Sequence, residues 1–130
     1  QAAGACWVTV VHPHACVSRF ARLGAGTVVM AGAVVNVDAV VGESGIINTG
    51  ATVDHDGVLA HGVHLSPGAH LSGNVVVGAC SWIGAGTAVR QGIRIGEDVT
   101  VGAGAVVVAA VADGLTVVGS PARVLKSRTE

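Results

Sequence analysis

Charge is scarce in this chain of 130 residues. Lys, Arg, Asp and Glu make up 12% of it and balance to a formal net charge of −1, which leaves no basic surface to meet a nucleic-acid backbone. Aromatic residues are scarcer still: two Trp, one Phe and no Tyr remove the stacking platforms that hold single-stranded bases. The three cysteines have no paired spacing, and an odd set of this kind fits a reducing compartment better than a disulfide framework. Cys80 is expected to be a small buried thiol. Long apolar runs are missing too. The mean hydropathy is high, at +0.67, yet Gly, Asp, Asn or Ser interrupts the chain every few positions, so no stretch approaches the roughly 20 residues that a spanning helix needs. No signal peptide is visible, although the chain begins with Gln1 rather than Met. These absences leave one domain, expected to be soluble and cytoplasmic, with neither membrane nor nucleic acid as partner and with enough length to bury a core.

What is present is a beat of six. Every sixth residue from Val11 is Val, Ile or Leu: Val11, Val17, Leu23, Val29, Val35, Val41, Ile47, Val53, Leu59, Leu65, Leu71, Val77, Ile83, Val89, Ile95, Val101 and Val107. Those three types fill only 38 of the 130 positions, so seventeen in unbroken register is a structural period and not a by-product of composition. Two positions before the beat the side chain is mostly small, as at Ala15, Ala21, Thr27, Ala33, Ala39, Ala51, Ala69, Ser81, Thr87 and Ala105. Just after it comes Gly, Asn, Asp or Ser in most hexads, as at Gly24, Asn36, Gly42, Asn48, Asp54, Gly84, Gly96 and Gly102.

Each hexad reads as a short strand with one aliphatic pointing inward, followed by a corner whose residues tolerate positive φ. A helical period of 3.6 cannot generate a strict six, and a flat alternating strand would not place turn residues so often. Hexapeptide repeats build a parallel β-helix. Three hexads per coil give a triangular prism with residues n and n+18 stacked. Seventeen hexads make about six coils, spanning 11–112, preceded by a lead-in segment at 1–10 and followed by a C-terminal strand and tail at 113–130. The residue just before each beat should face outward, yet Val28, Val34, Val40, Ile46, Val58, Val76 and Val106 are apolar. A monomer rarely exposes that much contiguous aliphatic surface, and self-association as a cyclic homotrimer suits a three-sided prism.

The segments "IGAGTAVRQGIRIGEDVTVGAGAVV" and "VVGSPARVLK" resemble the hexapeptide-repeat acyltransferases. That resemblance implies an all-β fold, a left-handed parallel β-helix, with the Gly-Ser-Pro-Ala-Arg segment leaving the last coil.

Four of the six histidines fall within "VDHDGVLAHGVHLSPGAH", Val53 to His70. His55 is two past its beat, on a corner, and His61 holds the equivalent place one hexad later. His64 and His70 immediately precede beats and so point outward from flat faces. Eighteen residues above His55 lies Gly73, and eighteen above His64 lies Trp82, which is expected to pack an interface. His55 and His64 occupy a corner and a face that do not adjoin within one prism, but they could meet across a cleft between two. His12 and His14 belong to the first coil and are expected to be structural.

A metal site, a catalytic base with helpers, and surface histidines all remain possible from this pattern alone. The γ-type carbonic anhydrases bind zinc in this fold class with two histidines five apart and a third two coils earlier. No two histidines here are separated by 5 or by 36 residues, so no metal is expected.

The stretch "INTGATVDHDGVLAHGVHLSPGAHLSGNVVVG" is similar to bacterial sugar acetyltransferases of the sialic acid O-acetyltransferase and UDP-4-amino-sugar N-acetyltransferase type (NeuD/PglD-like), over Val11 to Lys126. The specific part is Asn48-Thr49, His55-Asp56, His64 and Gly73-Asn74. The resemblance implies His55 as general base, Asp56 as its acidic partner, His64 as a helper at the acetyl-donor site and Gly73 as a backbone donor to the thioester carbonyl. The chemistry suits these roles. Imidazole, with a pKa near 6.5, can take the proton of an attacking amine or hydroxyl. An adjacent carboxylate fixes its tautomer, and a glycine lets a backbone N–H approach a developing oxyanion closely. For the acetyl-CoA co-substrate, a pantetheine arm between prisms would pass Gly86, Ala103 and Gly104, with Arg123 and Lys126 meeting the phosphates. The family's N-terminal α/β domain, which binds the nucleotide of the sugar substrate, is expected to be absent from these 130 residues. The function that the resemblance implies is acetyl transfer from acetyl-CoA to an amino (or hydroxyl) group of a sugar, expected to be a nucleotide-linked 4-amino sugar, by direct attack with His55 as general base. The alternatives are a non-catalytic β-helix scaffold and a zinc-dependent, carbonic-anhydrase-like enzyme.

Overall fold

The structure is a computed structural model that describes residues 7–125. Between Val10 and Val107 it contains seventeen strands of two residues, and the second residue of every one is an aliphatic beat. Each strand pairs in parallel with those eighteen residues away, as His64 with Trp82 and Leu65 with Ile83. Three parallel sheets result. Face 1 carries Val10–Val11, Val28–Val29, Ile46–Ile47, His64–Leu65, Trp82–Ile83 and Thr100–Val101; face 2 carries Cys16–Val17, Val34–Val35, Thr52–Val53, His70–Leu71, Ala88–Val89 and Val106–Val107; face 3 carries Arg22–Leu23, Val40–Val41, Val58–Leu59, Val76–Val77 and Arg94–Ile95. The chain winds from face 1 to 2 to 3 as a left-handed β-helix of about six coils. Among the described residues there is no helix, and hence none long and apolar enough to cross a membrane.

The core is one column of side chains down the prism axis. From Val29 to Val107 no beat residue is more than 1% exposed. The small residue two positions earlier is buried beside it, because the chain passes closest to the axis there. Where that residue is polar, its hydroxyl is used: Thr27, Ser81 and Thr87 donate to Gly42 O, Gly96 O and Gly102 O at 3.1, 2.7 and 3.2 Å. No buried side-chain nitrogen or oxygen among the described residues lacks a partner, which avoids the desolvation cost of a bare polar atom.

The corners differ from the expected chemistry in one respect. Positive φ falls three residues after the beat, not on the residue that follows it. From Gly26 to Gly104 every such position is left-handed, and six hold a residue other than glycine: Asp38, Ser44, Asp56, Asn74, Cys80 and Asp98. Asp and Asn tolerate this region best among side-chain-bearing residues. Glycine immediately after the beat answers a different demand. A Cβ on Gly78 would fall 2.5 Å from Glu97 N and Gly96 C, and one on Gly84 would fall 2.6 Å from Ala103 N. The corner turns so tightly that the next coil's backbone occupies the side chain's space.

Cys80 corrects a second expectation, since it is exposed. It occupies the left-handed corner position, whose side chain points away from the axis, so its small size is a corner property and not a core one.

The period breaks after Val107. Thr100 pairs with Thr116, and Ile95 bridges Val111, both at a spacing of sixteen. Thr116–Val118 completes face 1, and the chain then reverses into Arg123–Val124, which pairs with it antiparallel. An apolar hollow of about 140 Å³ lies under this return, bounded by Val107, Val111, Leu115, Val117, Ala122 and Val124 among others. No histidine lines it.

The two glycine roles separate on substitution. Gly78→Ala should lower unfolding stability by about 3 kcal/mol through backbone overlap. Gly92→Ala, at φ +77° with open space around it, should cost about 1 kcal/mol from the left-handed conformation alone. Denaturant titration at fixed protein concentration checks the order, and equal costs would contradict the close-approach explanation.

Candidate active site

His55 sits on the corner 54–57 that joins face 2 to face 3. Its backbone is held on both sides: the N–H donates to Asp54 Oδ1 at 2.7 Å, and the carbonyl accepts from Asn74 N–H at 3.0 Å. Asp56 follows at φ +60°. That turn brings its Oδ2 to 3.1 Å from His55 Nδ1. A carboxylate can only accept, so this contact places the ring proton on Nδ1 and leaves a lone pair on Nε2. Both side chains are about half exposed, at 48% and 52%, so the pair orients the ring more than it stabilises the fold.

The ring rests on Gly73 of the next coil. A Cβ there would fall 2.5 Å from His55 Cε1 and overlap Nε2 outright. Any side chain at position 73 would displace the imidazole from this place. The Gly73 N–H makes no hydrogen bond to another described residue, and nor does His55 Nε2. An unpaired base and an unpaired N–H donor therefore lie side by side on one corner.

A second group occupies face 1. Asn48 Oδ1 accepts the Thr49 N–H at 2.7 Å, which turns the amide nitrogen toward His64 Nε2 at 3.4 Å. With Asn48 donating, His64 Nε2 is an acceptor and the proton sits on Nδ1. Trp82 lies one rung above in the ladder, its ring centroid 4.3 Å from that of His64 with the planes at 46°. Burial at this position lowers the His64 pKa below the ordinary imidazole value, because the charged form loses its water.

Gly86, Ala103 and Gly104 share the corner between faces 1 and 2 with Asn48, and Gly104 N–H donates to Ala85 O at 2.7 Å. Gly86 and Gly104 both have positive φ and open space around them. Arg123 lies on the return strand beside face 1, exposed, its Nη1 donating only to Ala122 O at 3.2 Å. Lys126 lies outside the described residues. Thus His64, Gly86, Ala103, Gly104 and Arg123 run along face 1 and its edge, whereas His55, Asp56 and Gly73 lie on the corner opposite that face. One prism does not bring the two groups together.

The remaining histidines join neither group. His61 is exposed on the corner between faces 3 and 1, its carbonyl accepting from Cys80 N–H at 3.0 Å. His70 is exposed on face 2, with Nδ1 2.8 Å from Thr52 Oγ1. His12 and His14 lie ring to ring at 5.5 Å on the first corner. Among the described residues no three His, Cys, Asp or Glu side chains are placed to hold a metal ion together. Two residues that sequence reasoning passed over belong to the His55 corner: Asp54, and Asn36 one coil below it, whose Nδ2 donates to Asp54 Oδ1 at 3.1 Å. The eighteen-residue spacing was the available signal for that pair.

Residues 74–109 match the family model described as bacterial transferase hexapeptide (six repeats). The acetyltransferase domain of PglB from Neisseria gonorrhoeae FA1090, solved also in complex with acetyl coenzyme A, is 51% identical with a TM-score of 0.93, over 94% of this chain and 60% of that one. GDP-perosamine N-acetyl transferase from Caulobacter crescentus, solved as a histidine-to-alanine mutant in complex with CoA and GDP-perosamine, is 43% identical with a TM-score of 0.93, over 94% and 58% of the two chains. WeeI from Acinetobacter baumannii AYE is 29% identical with a TM-score of 0.88, over 91% and 58%. No curated protein sequence matches. The chain spans about three fifths of the length of these solved relatives. It is a hexapeptide-repeat β-helix similar to sugar acetyltransferases.

The burial of His64 is open to test by titration. Its imidazole should titrate below about 6.5, so it is neutral at pH 7. The sign for stability follows: the unfolded chain binds this proton more readily, so the fold loses stability as pH falls from about 6.5 toward the folded value. Trp82→Ala should move the His64 titration back upward in proton NMR. An unmoved titration would show that the indole is not what shields the ring.

Proposed function

We propose that this chain is the catalytic β-helix of an acetyl-CoA-dependent sugar N-acetyltransferase, with His55 as general base. One observation carries the reading: every polar atom of His55 except Nε2 is engaged, by Asp54, Asp56 and Asn74, and that free Nε2 lies on Gly73. The Asn74 bond is one that other corners also make, exposed His61 included, but at His55 the N–H and Nδ1 are held as well, with the Nε2 lone pair left over. The acceptor amine attacks the thioester carbonyl carbon directly, forming a C–N bond while His55 Nε2 takes a proton from nitrogen. The tetrahedral oxyanion is met by a backbone N–H, for which Gly73 is the candidate. Collapse breaks the C–S bond, and the departing CoA thiolate regains a proton from the imidazolium. Asp56 holds Nδ1–H and favours the cation as it forms. The products are the N-acetylated sugar and CoA, with no covalent enzyme intermediate.

In this reading the donor lies along face 1. Neutral His64 and Asn48 sit at the acetyl end, Gly86, Ala103 and Gly104 leave room for the pantetheine arm, and Arg123, with Lys126, takes phosphate. The base and donor groups are on opposite sides of one prism, so a site is completed only when the His55 corner of one copy meets face 1 of the next. A homotrimer closes that arrangement three times. The half-exposed outward valines, Val40 at 39% and Val58 at 42%, support self-association. The acceptor we infer is a nucleotide-linked amino sugar, as the GDP-perosamine complex of a 43% identical protein supports. The enzyme then acts in the cytoplasm, where acetyl-CoA and nucleotide sugars are found.

The test is transfer from acetyl-CoA to UDP- and GDP-linked amino sugars, followed as thiol release and acetylated product. His55→Ala should lower kcat/KM by about 10²–10⁴-fold, the range of a general base, with the trimer intact by sedimentation. Full turnover in His55→Ala would remove the reading.

A further inference from the structure

The corner below His55 contains a device that the catalytic assignment does not use, and the inference drawn from it rests on that assignment. Asn36 and Asp54 stand eighteen residues apart at the corner between faces 2 and 3. Asn36 Nδ2 donates to Asp54 Oδ1 at 3.1 Å, and the same oxygen accepts the His55 N–H at 2.7 Å. One carboxylate oxygen thus ties two successive coils to the peptide from which the imidazole hangs.

This is not what the repeat supplies by default. At the equivalent position of other corners, Val37, Gly73 and Gln91 among them, the N–H makes no hydrogen bond to another described residue. The captured exceptions are His55, Thr49 and Glu97, and the Thr49 N–H is held by Asn48, the residue that faces His64. At the head of many corners stands glycine, as at Gly24, Gly42, Gly78 and Gly84, where a side chain would strike the next coil. Asp54 keeps a side chain there and uses it.

We propose that Asp54 and Asn36 are positioning residues for the base. Asn36 orients the Asp54 carboxylate, and Asp54 fixes the 54–55 peptide so that His55 Nε2 stays aimed past Gly73. The Asp56 contact alone does not achieve this, because it joins two half-exposed side chains and does not fix the peptide that precedes His55. A reacting constellation has to be held within about 0.5 Å and 10–20°. A tilted 54–55 peptide would carry His55 out of that range and loosen its Nδ1 contact with Asp56.

Three variants separate positioning by the oxygen from a direct effect of the charge. Asp54→Asn keeps an oxygen for both donors and removes the charge. Asp54→Ala removes the oxygen, and Asn36→Ala removes only the outer support. In acetyl transfer by the full chain, Asp54→Ala should lower kcat by about 100-fold with both KM values changed less than about threefold, since misplacement by about an ångström has that effect. Asn36→Ala should lose about tenfold, and Asp54→Asn should stay within about threefold of wild type. The Asn36→Ala/Asp54→Ala double variant should be no slower than Asp54→Ala, because the two act as one unit.

Imidazole ¹⁵N–¹H spectra give the same comparison without turnover. His55 should show the Nδ1–H tautomer in wild type and in Asp54→Asn, and a mixture in Asp54→Ala and Asn36→Ala. Equal kcat losses in Asp54→Asn and Asp54→Ala overturn the proposal, as does an unchanged tautomer and kcat in Asn36→Ala. If Asp54→Ala does not fold, Asn36→Ala and Asp54→Asn still decide it. If wild-type protein transfers no acetyl group, the functional reading fails, while the tautomer series still settles whether Asn36 and Asp54 position the ring.

Discussion

The structure depends on the parallel backbone ladder that stacks each residue on the one eighteen positions later. Strands of two residues have too little surface to persist alone, and each gains stability only from the coils above and below and from one aliphatic in the axial column. This makes the register unforgiving. A one-residue slip would turn the column outward and bring the outward valines, histidines and Trp82 inward. It also makes position on the surface a matter of simple spacing, so a functional group can be assembled from single residues on successive coils without a dedicated loop. His55 on Gly73 and His64 beneath Trp82 are both such rungs.

Two demands share each corner, and they fall on different residues. The position after the beat must be small wherever the next coil presses against it, and the position two further on must accept a left-handed backbone. The His55 corner meets the second demand with Asp56, whose carboxylate then becomes available to Nδ1. A glycine at that place would ease the backbone but leave the ring unoriented. The same residue therefore serves the turn and the base, and the conformational cost of about 1–2 kcal/mol for a non-glycine residue there accompanies a functional contact.

Much of this is legible in the sequence. The beat from Val11 to Val107 specified all seventeen strands, and multiples of eighteen placed Gly73 against His55 and Trp82 beside His64. They also put His55 and His64 on sides of the prism that do not adjoin. What periodicity could not supply was anything that depends on a rotamer or a dihedral angle. It did not distinguish the tight-approach glycines from the left-handed corner positions, because both are small and polar and only two residues apart. It made Cys80 a core thiol by size alone, whereas the left-handed corner turns it outward. It left Asn36 and Asp54 as turn formers, since their hydrogen bond depends on side-chain torsions that the spacing permits but does not dictate.

The shortened last coil has a consequence for assembly. A β-helix that ended on a regular rung would present three rows of open N–H and C=O groups, a template for another copy to add end to end. Here the winding tightens to sixteen residues and the chain doubles back. Val106 N–H donates to Gly119 O at 3.0 Å and Val106 O accepts from Ala122 N–H at 2.8 Å, while Arg123–Val124 runs against the direction of every other strand. An incoming coil would meet an antiparallel edge out of step with its own repeat. The device that terminates the spiral thereby guards this end against fibre growth.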